Sequence, residues 1–181
     1  LPMPGGPVSS QPCASLPEVS ARPTTASAAS WPYGSGFSAG GRMLALTAAG
    51  ALDTAFGTGG VSGDVVAPTA NGNSCSSIGA QRDGRVVVAG GTLGDAPQGF
   101  AARLLSTGTR DSLFAADAVP ASTSRVTALA VAGNDSIALA GHDRPGVSGA
   151  LVVRLQEDGH LDTVFGRDGK TLFDIEAEIP V

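Results

Sequence analysis

Charged residues make up only 15% of this 181-residue chain, and Lys and Glu, the usual coat of surface helices, are scarce. Their place is taken by Gly, Ala, Val, Ser and Thr, with 26 glycines in all. Glycine disfavours helix and supplies turns, so the mix predicts short strands joined by many turns. Basic charge is short as well. Eleven Lys and Arg are scattered along the chain and outnumbered by 16 acids, for a net charge of −5. A nucleic-acid groove needs clustered cations, so that class of partner is set aside. No apolar run approaches the roughly 20 residues of a membrane-crossing helix. Leu1 is not an initiator Met, which fits a mature product whose leader was removed, and equally a cleaved fragment or an expressed piece.

Cysteine is nearly absent. Cys13 and Cys75 allow one intramolecular disulfide. In an oxidising compartment it would pin the N-terminal segment to the domain, and a loop of that length contributes about 4 kcal/mol on the chain-entropy model. The alternative is two unrelated buried thiols. Their spacing excludes a C-x-x-C zinc or thioredoxin site.

Proline, in contrast, is concentrated. Seven of the 12 prolines fall in residues 1–41. Missing N–H groups make a central strand or helix improbable over much of this stretch, which reads as an extended arm or linker. Trp31, Tyr33 and Phe37 point to docking of its last part, because a free linker gains nothing from three aromatics.

From residue 42 the chain repeats. Ile78 to Phe114 lies over Leu129 to Phe165 at a constant spacing of 51 with no gap. Arg103-Leu104 falls on Arg154-Leu155, and Gly108, Asp111 and Phe114 fall on Gly159, Asp162 and Phe165. A partial copy precedes both. Arg42 to Gly60, with Gly50, Asp53, Phe56 and Gly57, matches Leu151 to Gly169 at a spacing of 109, but Ala45 replaces the arginine. Periods of this length mark stacked or radial repeats. Within a unit, Val86-Val87-Val88-Ala89 and Ile137-Ala138-Leu139-Ala140 are β-favouring runs bounded by glycine, and Asp83-Gly84 is a turn dipeptide with Asn134-Asp135 at the same place. A second strand ends in Arg103-Leu104 or Arg154-Leu155, with neighbouring side chains on opposite faces.

The Asp-Gly turn, the Ala89-Gly90 strand end and the later run Val153 to Gly166, with its Leu161-Asp162-Thr163-Val164-Phe165-Gly166 hexapeptide, resemble the delta-60 repeat of large exported bacterial proteins. Leu52 to Gly57 carries the hexapeptide again, while Arg110 to Ala115 is a degraded version. The resemblance covers about residues 42–175. It implies an all-β, propeller-like array of small antiparallel sheets, export, and no reaction. The organisation expected is an arm over 1–41 and a β-repeat domain over 42–181, with a partial repeat at 42–66 and repeats at about 76–119 and 126–175. The partial repeat lacks leading strands, and a propeller closes with typically 4–8 blades, so the array is incomplete as a single chain. An open array exposes strand edges. Three arrangements would resolve this: the chain is a piece of a longer protein, copies assemble into a ring or fibre, or the Pro-rich arm and the C-terminal segment Thr171 to Ile175 complete blades in this or a neighbouring subunit. Homo-oligomer or multi-subunit assembly is the expectation.

Candidate chemistry is thin. His142 and His160 fall at a strand end and in a turn, with no oriented partner in view. No G-x-S-x-G elbow is present. The Gly-Gly pairs at 40–41, 59–60 and 90–91 precede no helix, so they read as turns rather than phosphate loops. Asp162, Asp168 and Asp174 are hard oxygen donors that calcium would accept, but their spacing fits no EF-hand. Asp53, Asp111 and Asp162 recur with the repeat and are better read as turn-holders that bond nearby N–H groups. Phe56, Phe114 and Phe165 read as one core plug per repeat. The sequence therefore describes a non-enzymatic structural or interaction protein of the extracellular space, cell surface or periplasm. A carbohydrate-binding propeller with sites between blades is the alternative, weakened by Trp31 and Tyr33 being single and outside the repeats.

Overall fold

The computed structural model describes residues 30–32, 41–47, 49–62, 73–92, 97–115, 119, 125–142 and 149–174. These residues form strands, turns and bridges and no helix. Accordingly, among the described residues no helix is long and apolar enough to cross a membrane. The strands are β1 (Ser30–Pro32), β2 (Gly41–Met43), β3 (Asn73–Ala80), β4 (Val86–Thr92), β5 (Gly99–Leu104), β6 (Arg125–Val131), β7 (Ile137–His142), β8 (Gly149–Leu155) and β9 (Lys170–Asp174). They make three separate antiparallel sheets in chain order, β1-β2, β3-β4-β5 and β6-β7-β8-β9.

The repeat is reproduced in register. Ile78 pairs with Val88 and Val88 with Ala102, while Leu129 pairs with Leu139 and Leu139 with Val153. Even the irregularity recurs: β3 bulges between Cys75 and Ser77, and β6 between Val126 and Ala128. The extra residue turns back on its own sheet in both, with Ser76 Oγ donating to Ala89 O and Thr127 Oγ1 to Ala140 O, each at 3.2 Å. The bulge brings the β3 or β6 backbone so close to the next strand that a Cβ at Gly90 or Gly141 would stand 2.0 Å from a carbonyl oxygen.

Two apolar clusters lie between the sheets. Met43, Ala45 and Phe56 of the first sheet's unit meet Val86, Val88, Ala102 and Leu104 of the second. Val87, Ala89, Ala101 and Phe114 of the second meet Val126, Ile137, Leu139, Leu151, Val153 and Leu155 of the third. The middle sheet is thus covered on both faces, which is why Val86 to Ala89 is an unbroken apolar run rather than an alternating one. In β7 and β8 burial alternates residue by residue, because only the face toward the second sheet is covered. Each fully buried Leu, Ile or Val stabilises by about 1.5–3 kcal/mol, so these interfaces are the core.

One expectation changes and another takes definite form. The first unit has a leading strand, since Ser30, Trp31 and Pro32 pair with Met43, Arg42 and Gly41. That strand comes from the last part of the Pro-rich stretch, where docking is expected. Proline is tolerated there because β1 is an edge strand at its described extent. The C-terminal segment adds to its own sheet, where β9 pairs with β8 from Gly149↔Asp174 to Val153↔Lys170.

Candidate functional site

The residues that recur in sequence meet at one place in each unit, the seam where one sheet hands over to the next. After β5 a tight turn closes with Leu105 N donating to Thr109 O (2.8 Å) and Gly108 N to Leu105 O (2.8 Å). The same bonds form at Gln156–His160 and at Thr47–Ala51. Gly50, Gly108 and Gly159 take the left-handed position of that turn, with φ of 79°, 80° and 93°. Asp53, Asp111 and Asp162 follow. Their backbone N–H groups return to the carbonyls of Ala45, Arg103 and Arg154. Their Oδ1 atoms accept the N–H two residues on, at Ala55 (3.1 Å), Leu113 (3.0 Å) and Val164 (3.2 Å).

In the second unit this turn carries an ion pair. Arg103 Nε and Nη2 reach Asp111 Oδ2 at 2.9 and 2.8 Å, and the guanidinium carbon stands 4.8 Å from the Phe114 ring centroid. The pair is buried, with Arg103 only 3% exposed. Arg103 does point away from Leu104, but the face it points to is closed by the third sheet. Its Nη1 donates to Gln81 Oε1 (3.1 Å) and to Glu157 O. Gln81 in turn donates through Nε2 to Asp135 O (3.1 Å) and Glu157 O (2.9 Å) of the third unit. Burial alone would raise the pKa of the Asp111 carboxyl; the Leu113 N–H and the Arg103 guanidinium outweigh it and hold the group below its usual range. Asp83 behaves alike, burial being outweighed by the Arg85 N–H and side chain.

The third unit repeats the arrangement. Arg154 Nε and Nη2 each lie 2.7 Å from Asp162 Oδ2, with Phe165 again 4.8 Å from the guanidinium carbon. Here the Arg154 side chain is 39% exposed. Phe56 and Phe114 are buried, as a core plug should be, but Phe165 is only half-buried. The difference lies in what covers them. A Cβ on Gly108 would stand 3.0 Å from Phe56 Cδ1, and one on Gly159 would stand 2.7 Å from Phe114 Cε2. Each phenylalanine therefore lies under the glycine turn of the following unit. One backbone bond fixes that step, Gly57 N to Thr107 O (2.7 Å) and Ala115 N to Asp158 O (3.1 Å). Among the described residues no turn lies over Phe165.

Residues 81–114 match the model of a family described as a domain of unknown function (DUF5122) β-propeller. The chain is of β-propeller-like repeat type. The matched stretch runs from Gln81 through the Asp83-Gly84 turn and the Arg103–Asp111 pair to Phe114, so it holds the second unit's side of the seam. The comparison with curated proteins gives no match.

Other candidates lie apart from the seam. Cys75 is half-buried in β3, beside the first cluster, and Cys13 lies outside the described residues. His142 ends β7 and is exposed; His160 sits in the turn, its N–H donating to Asp158 Oδ1 (3.1 Å). Asp162 serves Arg154, Asp168 takes a left-handed turn position, and Asp174 ends β9. Among the described residues no three His, Cys, Asp or Glu are grouped to hold a metal ion. Sequence reading missed Gln81, because its counterpart is Ala132 and repetition gives it no signal. It also missed Asp135, which replaces Gly84 at φ 63° and bonds Arg82 of the preceding unit through both carboxylate oxygens, at 2.9 and 3.1 Å.

Proposed function

We propose that this chain is an exported repeat scaffold of the delta-60 kind, without catalytic activity, serving as one subunit of an extracellular or cell-surface assembly in bacteria. The observation that carries this reading is the outer face of the third sheet. Its residues are the counterparts of residues fully covered one repeat earlier, and here they stay half-exposed. A partner surface is the simplest use for an apolar face already shaped as an interface. The polar side chains that recur are engaged in holding turns and seams, which supports a structural reading of them. No cofactor is proposed. A Cys13–Cys75 disulfide suits the same reading, since it would anchor the N-terminal stretch in an oxidising compartment.

Fractionation of producing cells tests the proposal. The chain is expected in the medium, the periplasm or the surface fraction, with Cys13 and Cys75 resistant to thiol labelling until reduced. A chain confined to the cytosol with both thiols reactive would contradict it. Saturable binding on a glycan array, in proportion to the repeats, would contradict the structural reading in favour of a carbohydrate-binding one.

A further inference from the structure

The turn between β6 and β7 differs from its counterparts in its chemistry. Asp53, Asp83, Asp111, Asp158 and Asp162 each accept the N–H two residues on through a carboxylate oxygen. In the β6–β7 turn an amide makes the same bond, with Ser136 N donating to Asn134 Oδ1 at 3.3 Å. The Ser136 hydroxyl donates to the same oxygen at 2.8 Å. One repeat earlier, Asp83 and Arg85 stand in the places of Asn134 and Ser136, and the turn forms there as well. The turn itself therefore requires neither the amide nor the hydroxyl.

Asn134-Asp135-Ser136 reads N-x-S with x not proline, the acceptor pattern for attaching sugar to an asparagine nitrogen. Of the three asparagines in the chain, neither Asn71 nor Asn73 has Ser or Thr two residues on. The placement suits an acceptor. Asn134 is exposed in the turn. Its Oδ1 is occupied by both Ser136 donors, while among the described residues nothing accepts a bond from Nδ2. Two bonds to the amide oxygen draw charge onto it and make an Nδ2 proton easier to remove. Asp135 serves the joint instead. Its carboxylate holds Arg82 of the second unit, and its carbonyl accepts from Gln81 Nε2. A group added to Asn134 would stand in solvent beside that joint and break none of these bonds.

We propose that Asn134 is an N-glycosylation site. The co-substrate is an activated sugar, a glycosyl diphosphate, brought by a transferase. Nδ2 bonds to the anomeric carbon as the bond from that carbon to the diphosphate oxygen breaks. The electron pair of the broken bond leaves with the diphosphate, and one Nδ2 proton passes to a base of the transferase. The inference rests on the reading of the chain as exported and adds a covalent modification to it.

Mass spectrometry of the peptide holding Asn134, from chain purified out of the producing cells, tests it. The peptide is expected to be heavier by whole hexose or N-acetylhexosamine residues, with fragmentation placing them on Asn134. A gain of one sugar indicates a nucleotide-linked donor and an oligosaccharide a lipid-linked one; both uphold the site. Ser136→Ala is expected to abolish the gain and Ser136→Thr, which keeps the hydroxyl, to retain it. Asn134→Asp should also abolish it, while holding the turn as Asp83 does. All three variants should keep the β-sheet circular dichroism spectrum. Asn134→Asp decides the matter should Ser136→Ala lose its spectrum. A gain that survives Ser136→Ala or Asn134→Asp overturns the inference, as does an unmodified Asn134 in the wild-type chain. Where that unmodified chain lies in the medium, periplasm or surface fraction, the scaffold reading stands without the sugar. Where it lies in the cytosol, both fall.

Discussion

The ring of Phe114 lies directly beneath Gly159, so close that a single added carbon on the glycine would stand 2.7 Å from it. Phe56 and Gly108 stand in the same relation one unit earlier. This phenylalanine-under-glycine step joins one sheet to the next, and the consequences below follow from where it is complete and where it is not.

Truncating the ring should cost according to what covers it. Phe114→Ala empties a buried site and is expected to lower stability by about 3–5 kcal/mol. Phe56→Ala should behave alike. Phe165→Ala in the single chain should cost clearly less, since its ring is only half-buried. Urea unfolding of the three variants, at concentrations where the chain is monomeric, checks the order.

The glycines should separate in the same manner. Gly159→Ala meets both an unfavourable φ and the Phe114 ring, and should cost more than the roughly 1–2 kcal/mol that the left-handed conformation alone imposes. Gly50→Ala has the same φ problem in open space and should cost only that. Thermal unfolding distinguishes them. Equal losses would mean the Phe114 contact carries no weight.

The ion pairs should differ by burial. Asp111→Asn leaves Arg103 buried without its counter-charge and is expected to cost about 3–5 kcal/mol. Asp162→Asn leaves Arg154 able to reach water and should cost under about 1 kcal/mol. Adding Arg103→Met to Asp111→Asn should recover part of the loss, as removing an unpaired buried charge does.

Acid should weaken the fold through the second unit. The carboxyls of Asp111 and Asp83 are held below their usual range in the folded chain, so they bind protons less readily there than when unfolded. Their contribution is fully present above the unfolded carboxylate range and is lost as pH falls through the folded values. Unfolding midpoints measured downward from neutral pH should drop in the acid range. In Asp111→Asn that drop should shrink.

Much of this was legible in the sequence. The spacing of 51 gave the equivalence of β3–β5 with β6–β8, and the recurrence of Asp and Phe marked the turn. Less legible was the arginine. Arg103 and Arg154 look identical in sequence, yet among the described residues one is sealed and the other open, because only Arg103 has a further described sheet against it. Periodicity reports what a unit contains, not what lies against it. The same reason separates Phe165 from Phe114. β1 was hidden for a different cause: Ser30-Trp31-Pro32 carries none of the branched residues of β4, and proline argues against a strand except at an edge. Gln81 and Asp135 were illegible because each holds a seam contact at a place where the other repeat has a different residue.

The central claim is that each sheet is joined to the next where a phenylalanine lies under the glycine turn that follows, as Phe114 lies under Gly159. A double-mutant cycle of Phe114→Ala and Gly159→Ala, read by urea unfolding, tests this most directly. The account predicts that Gly159→Ala costs less in the Phe114→Ala background, where the ring it would strike is gone. An equal cost in both backgrounds would contradict it.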